Sequence, residues 1–150
     1  MKIYIFAVAR PKERLYMTRR EERELLFSLI FEFSFNKREE YADIYENEKE
    51  FMDIESDYVE KGAKGITENL EAIDSEIMKF SKGWKLSRLS KVTLAIMRVA
   101  VYEMLYDKLA YNIVINEAVE LAKKYDEEKA PKFINGILNN VAASAGLKDK

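Results

Sequence analysis

The chain contains no histidine and no cysteine. Imidazole acid-base catalysis, Ser-His triads, thiol nucleophiles, disulfides and the usual zinc sites are thereby excluded together. Chemistry is left to Asp, Glu, Lys, Tyr or a carboxylate-bound hard cation. No glycine-rich phosphate loop, metal-ligand spacing or paired-acid motif organises these residues, so neither a metal nor a cofactor is expected. The residues that stand out are cations. Arg19, Arg20 and Arg23 crowd the start of an expected helix, where the positive end of the dipole disfavours each by about 0.3–1 kcal/mol. Arg19 and Arg23 share a face at i, i+4, and Arg20 lies at i, i+3 from Arg23, an arrangement suited to phosphate contacts. Glu21, Glu22 and Glu24 supply the competing reading, a purely structural offset.

Phe80 and Trp84 are interleaved with Lys79, Lys82 and Lys85, the mixture of stacking surface and charge that holds single strands. Both aromatics also fit a core, and Trp84, at a helix break, fits it better. Arg98 sits within Ile96-Met97-Arg98-Val99-Ala100, a setting too apolar for an unpaired cation. Glu103 and Glu117 are its candidate partners in a buried structural ion pair. Asn116-Glu117 and Asn135-Gly136 read as hydrogen-bonded packing devices.

The elements that must position these residues are helical. Thr18-Arg19-Arg20-Glu21 is a capping box ahead of Leu25, Leu26, Leu29, Ile30 and Phe33, and predicts a helix from Arg19 to Phe35. The segment Glu39 to Glu60 fits one or two amphipathic turns. Ile66, Leu70, Ile73, Ile77 and Phe80 form the seam of one long helix from Tyr58, on which Gly62 and Gly65 permit a close neighbour. Ser90 caps a central helix with a wide apolar face. Asn112 separates it from a helix over Val114 to Tyr125, and Pro131 opens the last helix. Ala145 to Lys150 reads as a frayed tail. The fold class is therefore all-α without a sheet.

The net charge of −2 is zoned: +4 over residues 1–38, −9 over 39–60 and +3 over 61–150. Lys79 to Arg98 holds six cations and no Asp or Glu, so the small total does not exclude a polyanionic partner. A solvated helix face is the plainer reading of such a run. No apolar run approaches the roughly 20 residues of a membrane span, and a cytoplasmic location is expected.

Four blocks occur in order: Trp84-Lys85-Leu86-Ser87-Arg88-Leu89, Ile96-Met97-Arg98-Val99-Ala100-Val101-Tyr102-Glu103-Met104, Val114-Ile115-Asn116-Glu117-Ala118-Val119-Glu120-Leu121-Ala122-Lys123 and Lys132-Phe133-Ile134-Asn135-Gly136-Ile137-Leu138. With Arg19-Arg20-Glu21-Glu22-Arg23-Glu24-Leu25-Leu26 they resemble the NusB transcription antitermination family from about Met17 to Val141. The resemblance implies two small helical bundles packed together and a bacterial factor without catalytic activity. Its partners would be boxA RNA of ribosomal RNA operon transcripts, NusE (a small-subunit ribosomal protein) and the RNA polymerase antitermination complex; a homodimer is compatible with it. On matching positions it implies RNA contacts at Arg19, Arg20, Arg23, Phe80, Lys132 and Phe133, and a partner contact at Phe31.

Residues 1–16 precede the family's start, with Met17 where an initiator is expected, and read as an extension or a start-site artefact. Residues 17–141 read as a single RNA-binding domain and 142–150 as a flexible tail. Two alternatives stand beside this reading. One is a helical scaffold or oligomerisation module whose basic faces only solvate it. The other is a stand-alone relative of the RNA-binding domain of ribosomal RNA methyltransferases, unable to methylate by itself.

Overall fold

The computed structural model describes residues 17–52, 55–83 and 85–149. Thr18 starts α1 (Arg19–Phe33). Its hydroxyl accepts from the Glu21 amide at 3.1 Å while Glu21 Oε1 accepts from the Thr18 amide at 3.0 Å, which satisfies two otherwise orphaned donors reciprocally. α1 stops two residues short of the expected end, where Ser34 takes the C-cap position. After a 3-10 turn come α2 (Tyr41–Met52), α3 (Asp57–Glu68), α4 (Leu70–Lys79), α5 (Lys91–Leu105), α6 (Tyr111–Tyr125) and α7 (Ala130–Ser144). There is no strand among the described residues, and no described helix is long and apolar enough to cross a membrane.

The chain divides into two compact units, one ending at Glu68 and the other beginning at Asn69. In the first, α1, α2 and α3 pack on one another. Leu25, Leu26, Leu29, Ile30 and Phe33 of α1 are buried with Val59, Ala63 and Ile66 of α3. Gly62 permits the approach of these two helices: a Cβ there would stand 2.4 Å from Leu26 Cδ2. Phe33 stacks on Tyr41, with ring centroids 4.9 Å apart. The same wall lines a cavity of about 360 Å³ beside Tyr45, Glu46 and Glu60. Burial, with the charges of Glu60 and Glu46 adding to it, pushes the Tyr45 hydroxyl up to about 12.

In the second unit α5 is buried from Thr93 to Met104 on every side, as befits a central helix. It packs against α4, α6 and α7, and α6 and α7 pack on each other. Ser90 Oγ accepts from the Thr93 amide at 3.0 Å, and Thr93 Oγ1 donates to Asp126 Oδ2 at 2.6 Å. One hydroxyl pair thus caps α5 and ties it to the end of α6. Pro131 lies in the first turn of α7, where a missing amide proton costs nothing.

Several expectations are corrected. The long helix from Tyr58 to Phe80 is broken at Asn69, whose backbone (φ −116°, ψ 20°) leaves the helical region. The apolar phase of Ile66, Leu70 and Ile73 runs unbroken through the break, so periodicity alone conceals it. Asn112 lies inside the first turn of α6; the separation comes earlier, around Lys108 at φ +56°. Asn116, Asn135 and Gly136 are exposed. They are surface groups, not packing devices, and the Asn139 side-chain amide, one turn along the same helix, donates to the Asn135 carbonyl at 2.9 Å and to its Oδ1 at 3.3 Å. The last helix runs to Ser144, and residues 147–149 form a 3-10 turn that sets Lys148 Nζ 5.7 Å from the centre of the Tyr111 ring. The readings of residues 1–16 and of Trp84 lie outside the described residues.

Candidate nucleic-acid interface

The first turn of α1 and the start of α3 build one arrangement around Arg19. Ser56 precedes α3, and its Oγ accepts from the Val59 amide at 3.1 Å, so the hydroxyl is fixed by the helix it opens. That hydroxyl donates to Glu22 Oε2. The other oxygen, Oε1, accepts from Arg19 Nε at 3.2 Å. Below, the Arg19 guanidinium lies 4.4 Å from the centre of the Tyr58 ring, within range of a cation-π contact. Arg19 is thus held by a carboxylate at its inner edge and a ring on one face, while its side chain stays 56% exposed. A guanidinium fixed this way keeps its outer donors for the paired oxygens of a phosphate or carboxylate and has less rotamer freedom to lose on binding.

Arg20 is exposed beside it. Arg23 is not: it is 6% exposed, and its guanidinium lies 5.9 Å from the same Tyr58 ring. The three-arginine face of the sequence reading therefore becomes a two-arginine face, with Arg23 beneath it against Tyr58. An i, i+4 spacing places two side chains on one side of a helix but does not say what lies over that side; here α3 does. Tyr58, Ser56 and Glu22 escaped the sequence reading as site components. The signals were present in Ser56-Asp57 ahead of a helix and in Glu22 three residues from Arg19, but only the α1–α3 contact joins them.

Phe31 is half-buried in α1 between Phe27 and Phe35, with ring centroids 6.4 Å and 5.0 Å away. Phe35, half exposed, extends this aromatic row to the surface and was not singled out. In the second unit Phe80 is half-buried at the C-cap of α4. Lys132 is exposed and Phe133 half-buried in the first turn of α7. The six expected RNA residues thus divide between the units, three in each.

Arg98 is buried, and its partner is corrected. Arg98 Nε and Nη2 bind Asp74 Oδ1 and Oδ2 at 2.8 and 2.7 Å, a bidentate pair between α5 and α4. Glu103 and Glu117, the expected partners, have other interactions. Asp74 sits on α4 between the core positions Ile73 and Ile77, which places its carboxylate toward α5. The pair joins two helices of one unit and belongs to the scaffold.

The sequence profile of the NusB family matches residues 20–143, most of the described chain and both units. The chain belongs to the NusB family. The transcription antitermination protein NusB of Clostridium acetobutylicum is 43% identical over 136 residues, which is 88% of this chain and the whole of that protein. The solved structure of T. maritima NusB superposes with a TM-score of 0.71 at 30% identity, covering 86% of this chain and 93% of that one. A structure of the antitermination factors NusB and NusE in complex with dsRNA matches with a TM-score of 0.71 at 26% identity, covering 85% of this chain and 99% of that one. The matched NusB span includes Arg20, Arg23, Phe31, Phe80, Arg98, Lys132 and Phe133.

Proposed function

We propose that this chain is an RNA-binding adaptor in transcription antitermination, working in the cytoplasm as a binding factor and not as a catalyst. The observation that carries this reading is the fixed but outward-facing Arg19 with exposed Arg20 beside it, in a chain of the NusB family. Arg19 and Arg20 contact phosphates and base edges of boxA RNA, and Arg23 holds the Tyr58 platform in place. Phe80, Lys132 and Phe133 are proposed as the RNA contacts of the second unit. Phe31, continuous with exposed Phe35, is proposed for the NusE side. The complex of NusB with NusE and dsRNA supports RNA and NusE as the two partner classes, and the pair would then join RNA polymerase.

The test is capture of the purified chain on immobilised single-stranded boxA RNA, with and without NusE, against a scrambled RNA of equal length. Retention on boxA, strengthened by NusE and weak on the scrambled strand, is expected. Equal retention on both strands would refute a boxA-specific role. No retention on either would favour a helical scaffold whose basic groups only solvate it.

A further inference from the structure

Between α4 and α5 two consecutive residues, Lys82 (φ +54°) and Gly83 (φ +86°), take left-handed backbone conformations. Gly83 adopts this readily; a lysine does not, and non-glycine residues held there cluster at binding sites. A 3-10 turn over Leu86–Arg88 follows. Together these turns bring Lys82, Gly83, Lys85 and Arg88 around one open concavity of about 280 Å³. All four residues are exposed.

The charge there is uncompensated. Lys49, Lys79 and Lys123 sit on carboxylates at 2.6 to 3.2 Å, and Arg98 is bound by Asp74. Among the described residues no carboxylate lies within ion-pair distance of Lys82, Lys85 or Arg88. No Asp or Glu occurs between Lys79 and Arg98 to supply one locally. Three like charges gathered on one concavity repel one another, and an anion relieves the repulsion.

We infer that this loop is a second phosphate-binding site for single-stranded RNA, separate in the chain from Arg19 and Arg20 and carried by the other unit. The inference rests on the RNA-binding reading above. A backbone phosphate suits the site better than an acidic peptide does. Three cations around a small concavity match one compact anion, and half-buried Phe80, two residues before Lys82 at the end of α4, supplies a ring on which a base of the same strand can stack. Lys79, held by Glu76, is not part of the site.

The experiment measures binding of labelled single-stranded boxA RNA to the full chain across a potassium chloride series. Three proteins are compared with wild type: Lys82→Gln/Lys85→Gln/Arg88→Gln, the charge-keeping Lys82→Arg/Lys85→Arg/Arg88→Lys, and Arg19→Ala/Arg20→Ala, with melting curves for each. Each lost phosphate contact lowers the slope of log affinity against log salt by about 0.7, and the loop holds one phosphate, so the glutamine variant should lose about 0.7 in slope while melting like wild type. The charge-keeping variant should keep its slope. Unchanged affinity and slope in the glutamine variant, with binding weakened in the Arg19/Arg20 variant, would overturn the second site and leave the RNA role standing. Absence of RNA binding by wild type would overturn both. Displacement of the RNA by poly-glutamate of equal charge from wild type, and not from the glutamine variant, would assign the loop to an acidic peptide and overturn the inference.

Discussion

Asp74→Ala removes the acceptor of a bidentate pair and leaves the Arg98 guanidinium, whose side chain is 9% exposed, inside the second unit. Both of its bonds, at 2.8 and 2.7 Å, go to that one carboxylate. Breaking a buried pair from one side costs about 3–5 kcal/mol, because the remaining charge keeps its desolvation penalty without its partner. Set against a total stability of about 5–15 kcal/mol, that is enough to lower the midpoint of thermal unfolding by roughly 10 °C in a chain of this size. Arg98→Met strands the other half. Asp74, at 18% side-chain exposure, reaches water more easily, so the expected loss is smaller, about 1–3 kcal/mol. The double variant Asp74→Ala/Arg98→Met removes both charges and should recover a large part of the loss. Chemical denaturation followed by circular dichroism gives all four corners of the cycle. A loss below about 1 kcal/mol for Asp74→Ala, or a double variant no more stable than its worse parent, would refute the reasoning.

Three further outcomes follow from the packing and the charges. Gly62→Ala should destabilise by about 1–3 kcal/mol despite the better helix propensity of alanine, since its Cβ meets Leu26 Cδ2 at 2.4 Å and Leu26 is fully buried; an unchanged or raised melting temperature would contradict this. Arg23→Ala should lower the melting temperature through lost contact with Tyr58, whereas Arg19→Ala should cost no more than about 1 kcal/mol, the Arg19 side of its pair with Glu22 being 56% exposed and Glu22 keeping its bond from Ser56. The Tyr45 hydroxyl, raised from 10.0 to about 12, stays protonated in the folded chain while an unfolded tyrosine ionises. Its contribution is therefore complete below pH 10 and is lost as pH rises from 10 to about 12. Denaturation midpoints across that range should fall less in Tyr45→Phe than in wild type.

What was legible in the sequence is what depends on near neighbours along the chain. Thr18 and Glu21 name each other at i, i+3, and Ser90 needs only the amide of Thr93; both caps stand where the sequence puts them. The need of Arg98 for a carboxylate was legible from its apolar neighbours. Its partner was not, because Asp74 sits on a different helix and only the packing of α4 on α5 selects it over Glu103 and Glu117. The break at Asn69 was hidden by a seam that keeps phase through it. The arginine face was half legible. Spacing grouped Arg19, Arg20 and Arg23, but the weight of α3 on Arg23, and the Ser56–Glu22–Arg19 chain over Tyr58, exist only once two helices meet. The family resemblance reached the fold directly, since four ordered blocks constrain topology far more tightly than any one pattern of apolar residues.

The central claim is that the exposed arginines at the start of α1 hold RNA, and the salt dependence of boxA RNA affinity in Arg19→Ala/Arg20→Ala tests it most directly. Two lost single-strand phosphate contacts should lower the slope of log affinity against log salt by about 1.4, in a variant that melts within a few degrees of wild type. A folded variant with the wild-type slope and affinity would contradict the claim.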